Sequence, residues 1–211
     1  MQAVAEQAGT QQAVVYVVDD DAQVRALLAR VLEAAKFRVV GVPSAEQFLA
    51  DFKDNGPACV VLDLKLPGMN GVELIETMRK RQINIPVLMI SAHGDVQSAV
   101  KSMKLGAVDF LEKTGDYTLV VQNVNEAIAR DIKRRAQGAE TEKVRQRFEA
   151  LTPRERELLD LLAEGQSTKM IASQLNISNR TVDHHRANLM SKTSAANVAD
   201  LIRMWMMVRG K

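Results

Sequence analysis

Along residues 13–132, short apolar runs alternate with amphipathic stretches. The runs are VVYVV (14–18), RVVGV (38–42), ACVVL (58–62), PVLMI (86–90) and AVDFLE (107–112). Each is short and rich in β-branched side chains, the composition of strands buried on both faces. The first intervening stretch carries Val24, Leu27, Leu28, Val31, Leu32 and Ala35 at i, i+3, i+4, i+7, i+8 and i+11, the apolar stripe of a helix. The second opens with Ser44 and Gln47, a capping-box pair. Two more helices are expected at about 71–81 and 95–105, and a fifth at about 116–135. This (βα)₅ alternation predicts an α/β fold, a doubly wound parallel sheet of order 2-1-3-4-5 with helices on both faces.

The pattern then changes. KRRAQGAETEKVRQRFEA (133–150) is polar and charged with Gly138 inside, and reads as a linker, helical in part. LTPRERE begins a new helix, with Thr152 as N-cap, Pro153 at N1 and Glu155 closing a capping box. From there the chain reads helical, with breaks at Gly165, around Asn176–Ser178 and around Thr193–Ala196. The expected organisation is a disordered tail over 1–12, an α/β domain over 13–132, the linker over 133–150, and a small all-α domain of four helices over 151–211.

Charge separates the two parts further. Residues 1–129 hold 12 Lys/Arg against 16 Asp/Glu, residues 130–150 hold 7 against 4, and residues 151–211 hold 9 against 6. An acidic front and a basic back suit two different tasks, and a basic end is compatible with nucleic acid. No run approaches the roughly 18 apolar residues of a membrane span, so no membrane partner is expected. MQAVAEQAGTQQ lacks the basic and apolar regions of a signal peptide. The single cysteine, Cys59, opens an apolar run and reads as a buried structural thiol, consistent with a reducing, cytoplasmic location.

Ligands of open parallel sheets bind beyond the carboxyl ends of the strands, where strand order reverses. The polar residues at those ends are Asp19 and Asp20 after the first strand, Asp63 after the third, Ser91 after the fourth and Lys113 after the fifth. Clustered carboxylates repel unless a cation neutralises them. Oxygen-only ligation suits Mg²⁺, with Mn²⁺ as a substitute. One carboxylate can then attack phosphorus and form an aspartyl-phosphate, with Lys113 pairing the new charge and Ser91 donating to a phosphoryl oxygen. Asp63 is the strongest nucleophile candidate: it stands at the central strand tip and opens DLKLPGMNG, whose Pro67, Gly68 and Gly71 favour a fixed turn. Asp21 reads as the N-cap of the first helix.

VVDDD, VLDLKLPGMNG, ISAHGD and GAVDFLEK together resemble the receiver domain of bacterial two-component response regulators. The resemblance implies that a sensor histidine kinase donates a phosphoryl group to Asp63. It implies Mg²⁺ held by Asp19 or Asp20, Asp63 and the Lys65 carbonyl, and a conformational pair, Ser91 and Phe110, that moves on phosphorylation. One residue departs from the family: Thr114 follows Lys113 where a proline with a cis peptide is usual. A cis bond before threonine costs roughly 3–4 kcal/mol, so a trans bond is expected. The rival reading is a Mg-dependent aspartyl-phosphate phosphotransferase or hydrolase. Phosphohydrolases of the haloacid dehalogenase type need a second aspartate two residues after the nucleophile, and Lys65 stands there. The chain therefore reads as a phosphoacceptor and not an enzyme, limited to self-phosphorylation from small donors and autodephosphorylation, with Lys65 and His93 tuning the adduct's lifetime.

Residues 154–192 read as helix, Gly165, helix, a tight turn at Asn176–Ser178 and a further helix, NRTVDHHRANLMSK, the form of a helix-turn-helix. LTPRERELLDLLAEGQSTKMIASQLNISNRTVDHHRANLMSK resembles the LuxR-type helix-turn-helix of NarL/FixJ-class regulators. By that resemblance Lys169, Arg180, Thr181, His185, Arg186 and Lys192 contact DNA phosphates, and Val182, Asp183, His184, Ala187 and Asn188 face base edges. Asn188 could bond adenine; Asp183 could accept from cytosine or simply pair with Arg186. His184 and His185 lie about 100° apart on a helix and are poor joint ligands for one metal. The last helix puts Val198, Leu201, Ile202, Trp205 and Met206 on one stripe, which serves either as core or as a homodimer face, and the family resemblance favours the dimer. A rival without DNA is a protein-interaction module built on the same basic helices.

Overall fold

The computed structural model describes residues 12–92, 96–113 and 117–209. The expectations placed on the tail before Gln12, on His93 and on Thr114 lie outside these residues. The described residues divide into two compact units, with the boundary after Arg135.

In the first unit β1 (Val14–Val18), α1 (Ala22–Ala34), β2 (Arg38–Val42), α2 (Ala45–Asp51), β3 (Ala58–Asp63), α3 (Gly71–Lys80), β4 (Val87–Ser91), α4 (Val96–Lys104) and β5 (Asp109–Glu112) follow in order. They lead into α5 (Thr118–Glu149), within which the unit boundary falls. The five strands form one parallel sheet of order β2-β1-β3-β4-β5. Alternation along β3 sorts the core. Val60 and Leu62 join Phe48, Leu74 and Met89 on the face covered by α2 and α3. Cys59 and Val61 join Leu28, Leu32, Val124 and Ile128 on the face covered by α1 and α5. Both faces of β3 and β4 are buried, which is why their sequences are continuous apolar runs.

The second unit packs α6 (Pro153–Ala163), α7 (Thr168–Leu175), α8 (Asn179–Thr193) and α9 (Val198–Arg209) around Leu158, Leu159, Ile171, Leu189 and Leu201. Thr152 and Glu155 form a reciprocal capping box on α6, with Pro153 in the first turn. Asn176 ends α7 in the left-handed region at φ +53°, where asparagine is tolerated, and Ser178 caps α8 two residues later. That turn sets α8 against α7.

The stretch expected as a partly helical linker differs from the expectation. Residues 133–149 are helical throughout as the end of α5, and Val144 and Phe148, one turn apart, are buried in the core of the second unit. Tertiary packing of these two side chains offsets the weak local pattern. Gly138 has nothing within 4 Å of a Cβ position, so no close approach demands glycine there.

Candidate phosphoacceptor and DNA-reading sites

The parallel sheet delivers three strand ends to one place. The Asp19 side chain follows β1 and is fully buried, and Asp63 ends β3 with 6% exposure. Lys113 follows β5 and extends its ammonium between them, 2.7 Å from Asp19 Oδ2 and 3.1 Å from Asp63 Oδ1. Asp20 is exposed, and oxygens of Asp19, Asp20 and Asp63 lie within 4.8 Å of one another. Ser91, at the tip of β4, is buried, and Phe110 on β5 packs half-buried against the α2–α3 side of the core.

Local hydrogen bonds hold the buried Asp19 in place. Its Oδ1 accepts from the Asp21 amide at 3.0 Å, and its carbonyl accepts from Arg25 at 2.6 Å. Asp21 turns away to cap α1, accepting from the amides of Gln23 at 2.7 Å and Val24 at 3.4 Å. The acidic triplet is thus two carboxylates facing Asp63 and one helix cap. Burial pushes the Asp63 pKa above the ordinary aspartate value; Lys113 opposes the rise, and the charges of Asp19 and Asp20 add to it. Burial works against the Lys113 ammonium, yet its bonds to Asp19 and Asp63 outweigh that and hold its pKa above the usual lysine value. An oxygen-only set with a raised carboxylate pKa is a site short of positive charge, the chemistry that a hard divalent cation fits.

Sequence reasoning missed several supports of this site. A Cβ on Gly71 would stand 2.5 Å from the Asp63 carbonyl oxygen and 2.9 Å from Met89 Cε, so only glycine lets α3 start this close to the Asp63 backbone. The Gly71 amide donates to the Leu64 carbonyl at 3.1 Å. Glu46 on α2 accepts from the Met69 amide at 2.8 Å and fastens the loop that carries exposed Lys65. Nothing in the one-dimensional pattern ties Glu46 to that loop. The glycine in DLKLPGMNG was visible, but the atoms it makes room for were not.

In the second unit the exposed side of α8 carries Arg180, Asp183, His184 and Ala187, with Thr181, His185, Arg186 and Asn188 half-buried. Lys169 on α7 is also exposed. Val182 is the correction. It was expected at base edges but is fully buried, on the same side of α8 as Leu189 and Thr193. A residue seven positions before Leu189 shares its side of the helix, and that side is the core. Lys192 and Arg186, expected at phosphates, have partners in the protein. Lys192 Nζ is 2.8 Å from Oε2 of Glu155, itself only 4% exposed. Arg186 donates to Thr168 Oγ1 at 3.3 Å and lies 3.5 Å from Asp183 Oδ1.

On α9 the core alternative holds for part of the stripe. Leu201 is fully buried, and Val198 and Trp205 pack against the same core, with Trp205 stacked on Phe148 at 5.2 Å between ring centres. Of the stripe, Ile202 is half-buried and Met206 is 41% exposed. The C-terminal part of α5 supplies core that a four-helix reading lacked, through Val144 and Phe148, and the stripe is covered only in part within the chain.

Known proteins match both units. Residues 15–125 match the model of the response regulator receiver domain, and residues 149–205 that of bacterial regulatory proteins of the luxR family. The chain is 40% identical over 190 residues to the transcriptional regulatory protein FixJ of Rhizobium meliloti, covering 90% of this chain and 93% of that one. It is 31% identical over 191 residues to the response regulator protein TodT of Pseudomonas putida, covering 90% and 84%. Among solved structures, the response regulator StyR aligns with a TM-score of 0.81 at 34% identity, over 92% of this chain and 98% of that one. Full-length FixJ from B. japonicum aligns at 0.56 and 37% identity, over 96% and 100%. Among the described residues no helix is long and apolar enough to cross a membrane.

Proposed function

The chain belongs to the response regulators that join a receiver domain to a LuxR-type DNA-binding domain, and we propose that Asp63 is its phosphoacceptor and α8 its reading helix. The observation that carries this is the Lys113 ammonium reaching Asp63 at the sheet switch point, with Asp19 and Asp20 alongside.

The chemistry follows from the side chains. A carboxylate oxygen of Asp63 attacks the phosphorus of a phosphohistidine on a sensor kinase. The P–N bond breaks, and its electron pair leaves with the imidazole nitrogen. The raised Asp63 pKa marks a carboxylate that gains by acquiring a partner. Lys113 already lies within 3.1 Å of Asp63 and neutralises charge on the acyl phosphate without a large movement. Asp19, Asp20, Asp63 and the Lys65 carbonyl would hold Mg²⁺, which supplies positive charge between the carboxylates and the phosphoryl oxygens. The buried Ser91 hydroxyl then bonds a phosphoryl oxygen, and Phe110, half-buried behind it, repacks. Small donors such as acetyl phosphate serve in place of the kinase, and water slowly releases the phosphate.

Phosphorylation raises the affinity of the second unit for promoter DNA, as a homodimer reading two half-sites. Its phosphate contacts are Lys169, Arg180, Thr181 and His185, and its base-facing residues are Asp183, His184, Ala187 and Asn188. Binding to promoter DNA under a bacterial kinase places the protein's work in the cytoplasm. The test is acetyl phosphate with Mg²⁺ on the full chain. A single stable adduct seen by intact mass, absent in Asp63→Asn, and promoter binding that tightens with the adduct are expected. Multiple turnovers on phosphomonoesters, or an adduct that persists in Asp63→Asn, would overturn it.

A further inference from the structure

The loop between β3 and α3, residues 64–70, carries Lys65, whose carbonyl would hold Mg²⁺ in the reading above. Main-chain bonds close its base: the Leu64 amide donates to the Ile90 carbonyl at 3.0 Å, and the Gly71 amide to the Leu64 carbonyl at 3.1 Å. Leu64 and Leu66 are buried on the α2–α3 side of the core. Asn70 and Glu73 hold the far end in a reciprocal capping box, at 3.0 Å each way. Residues 67–69 have fewer means of their own. Pro67 has no amide hydrogen, and Gly68 stands in the left-handed region at φ +76°. Another helix reaches them. Glu46, in the first turn of α2 and 23 residues earlier in the chain, accepts from the Met69 amide at 2.8 Å. A Cβ on Gly68 would stand 2.8 Å from Glu46 Oε1, so the carboxylate lies close against the Gly68 backbone. The Met69 bond is the first cause that holds the Glu46 carboxyl below the usual glutamate range, and its other partners are its own amide and the Ser44 hydroxyl rather than a lysine or arginine.

Resting on the Mg²⁺ reading above, we infer that Glu46 is a positioning residue for the metal site: by holding the Met69 amide it fixes the loop that presents the Lys65 carbonyl, and so favours Mg²⁺ over larger cations. Asp19 and Asp63 are placed by the ends of two paired strands, whereas the Lys65 carbonyl is placed by its loop. Mg²⁺ demands near-octahedral oxygens at about 2.0–2.1 Å, while Ca²⁺ takes six to eight at about 2.3–2.6 Å in flexible geometry. A loop released at Met69 lets the carbonyl wander, which costs Mg²⁺ most and Ca²⁺ little. Groups that orient a metal ligand without touching the ion change affinity by roughly 10–100-fold when removed. Glu46 is exposed, so the lower end of that range applies. A glutamate in the first turn also suits the helix dipole, and negative charge attracts any cation. Both of those effects need only the charge; the inferred one needs the bond.

The test follows free Mn²⁺ by electron paramagnetic resonance in the presence of the full chain, with Mg²⁺ and Ca²⁺ as competitors. The wild type is expected to bind Mn²⁺ and to yield it to Mg²⁺ more readily than to Ca²⁺. Asp20→Asn, which removes a ligand, is expected to lose that binding. Glu46→Ala should weaken Mg²⁺ by about tenfold and Ca²⁺ by about twofold or less. Glu46→Gln, whose side-chain oxygen still accepts from the Met69 amide without the charge, should stay within about twofold of the wild type for both ions. Alanine and glutamine are both good helix formers, and circular dichroism on heating checks that each variant is folded. Wild-type Mg²⁺ affinity in Glu46→Ala overturns the inference. So does a Glu46→Gln that behaves as Glu46→Ala, which would assign the effect to charge. An equal loss of Mg²⁺ and Ca²⁺ in Glu46→Ala overturns it too, and would leave Glu46 a structural residue only. No Mn²⁺ binding by the wild type, or binding that Asp20→Asn retains, overturns the metal reading itself.

Discussion

Truncating Val182 to alanine separates its structural role from a base-reading one. The side chain is fully exposed to neither solvent nor DNA: its relative exposure is zero, and it lies in one cluster with Leu189, Ile171 and Leu159. Val182→Ala deletes two carbons. At about 0.8 kcal/mol per buried CH₂ the transfer loss is about 1.6 kcal/mol. The space left, if the core does not collapse, adds up to about 1 kcal/mol. The second unit should therefore lose about 2–3 kcal/mol, a large fraction of a small domain's stability. The readout is built into the chain. Its single tryptophan, Trp205, is stacked on Phe148 and has the Arg209 guanidinium 4.4 Å from its ring centre, so its fluorescence follows the second unit alone. With a urea slope of about 1 kcal/mol per M for a unit this small, the Trp205 midpoint should fall by about 2 M or more. Below the transition, the sequences selected from a DNA library should not change. An unchanged midpoint with an altered base preference would refute the burial argument and return Val182 to the DNA face.

Lys192→Met should strand the buried Glu155 carboxylate and cost the second unit about 1–2 kcal/mol at neutral pH, measured by the same fluorescence. Burial alone would raise the Glu155 pKa, but Lys192 and the Thr152 bonds lower it below the ordinary value. Its stabilisation is therefore present above the unfolded glutamate pKa of about 4.3 and lost as pH falls through the lower folded value. The wild type should weaken across that acid range, and Lys192→Met should weaken less; equal slopes would count against the pair. Gly71→Ala should destabilise the receiver by about 1–3 kcal/mol, because the new Cβ meets the Asp63 carbonyl, a backbone atom that cannot swing aside. Acetyl phosphate labelling of this variant should slow, and labelling at the wild-type rate would show that the Asp63 loop tolerates the shift. Cys59 is fully buried with its thiol pKa pushed up to about 12 by burial, with the Asp131 charge adding to the rise. A thiol reagent should leave it unmodified in the native chain and label it once the receiver unfolds; fast labelling of folded protein would contradict the burial.

The carboxylate site was legible because strand ends in a parallel sheet are predictable places. Asp19, Asp63, Ser91 and Lys113 each directly follow or end an apolar run, and the strand order alone puts β1 beside β3. The role of Gly71 and the hold of Glu46 on the Met69 amide were not legible. They depend on how closely α3 and α2 approach the loop, which no local pattern encodes.

By itself the sequence determined the alternation of strands and helices, the capping of α1, α2 and α6, and the identity of the residues at the strand tips. These are local quantities: side-chain period, β-branching and hydrogen bonds spanning three residues or fewer. Only the tertiary structure decided which face of an amphipathic helix is core. On α8 it buried Val182 and exposed His184, and on α9 it covered Leu201 and Trp205 within the chain. It also carried the helix of α5 through a charged stretch, because Val144 and Phe148 found a core to enter. Burial of a side chain is a property of what packs against it, and that partner lies elsewhere in the chain.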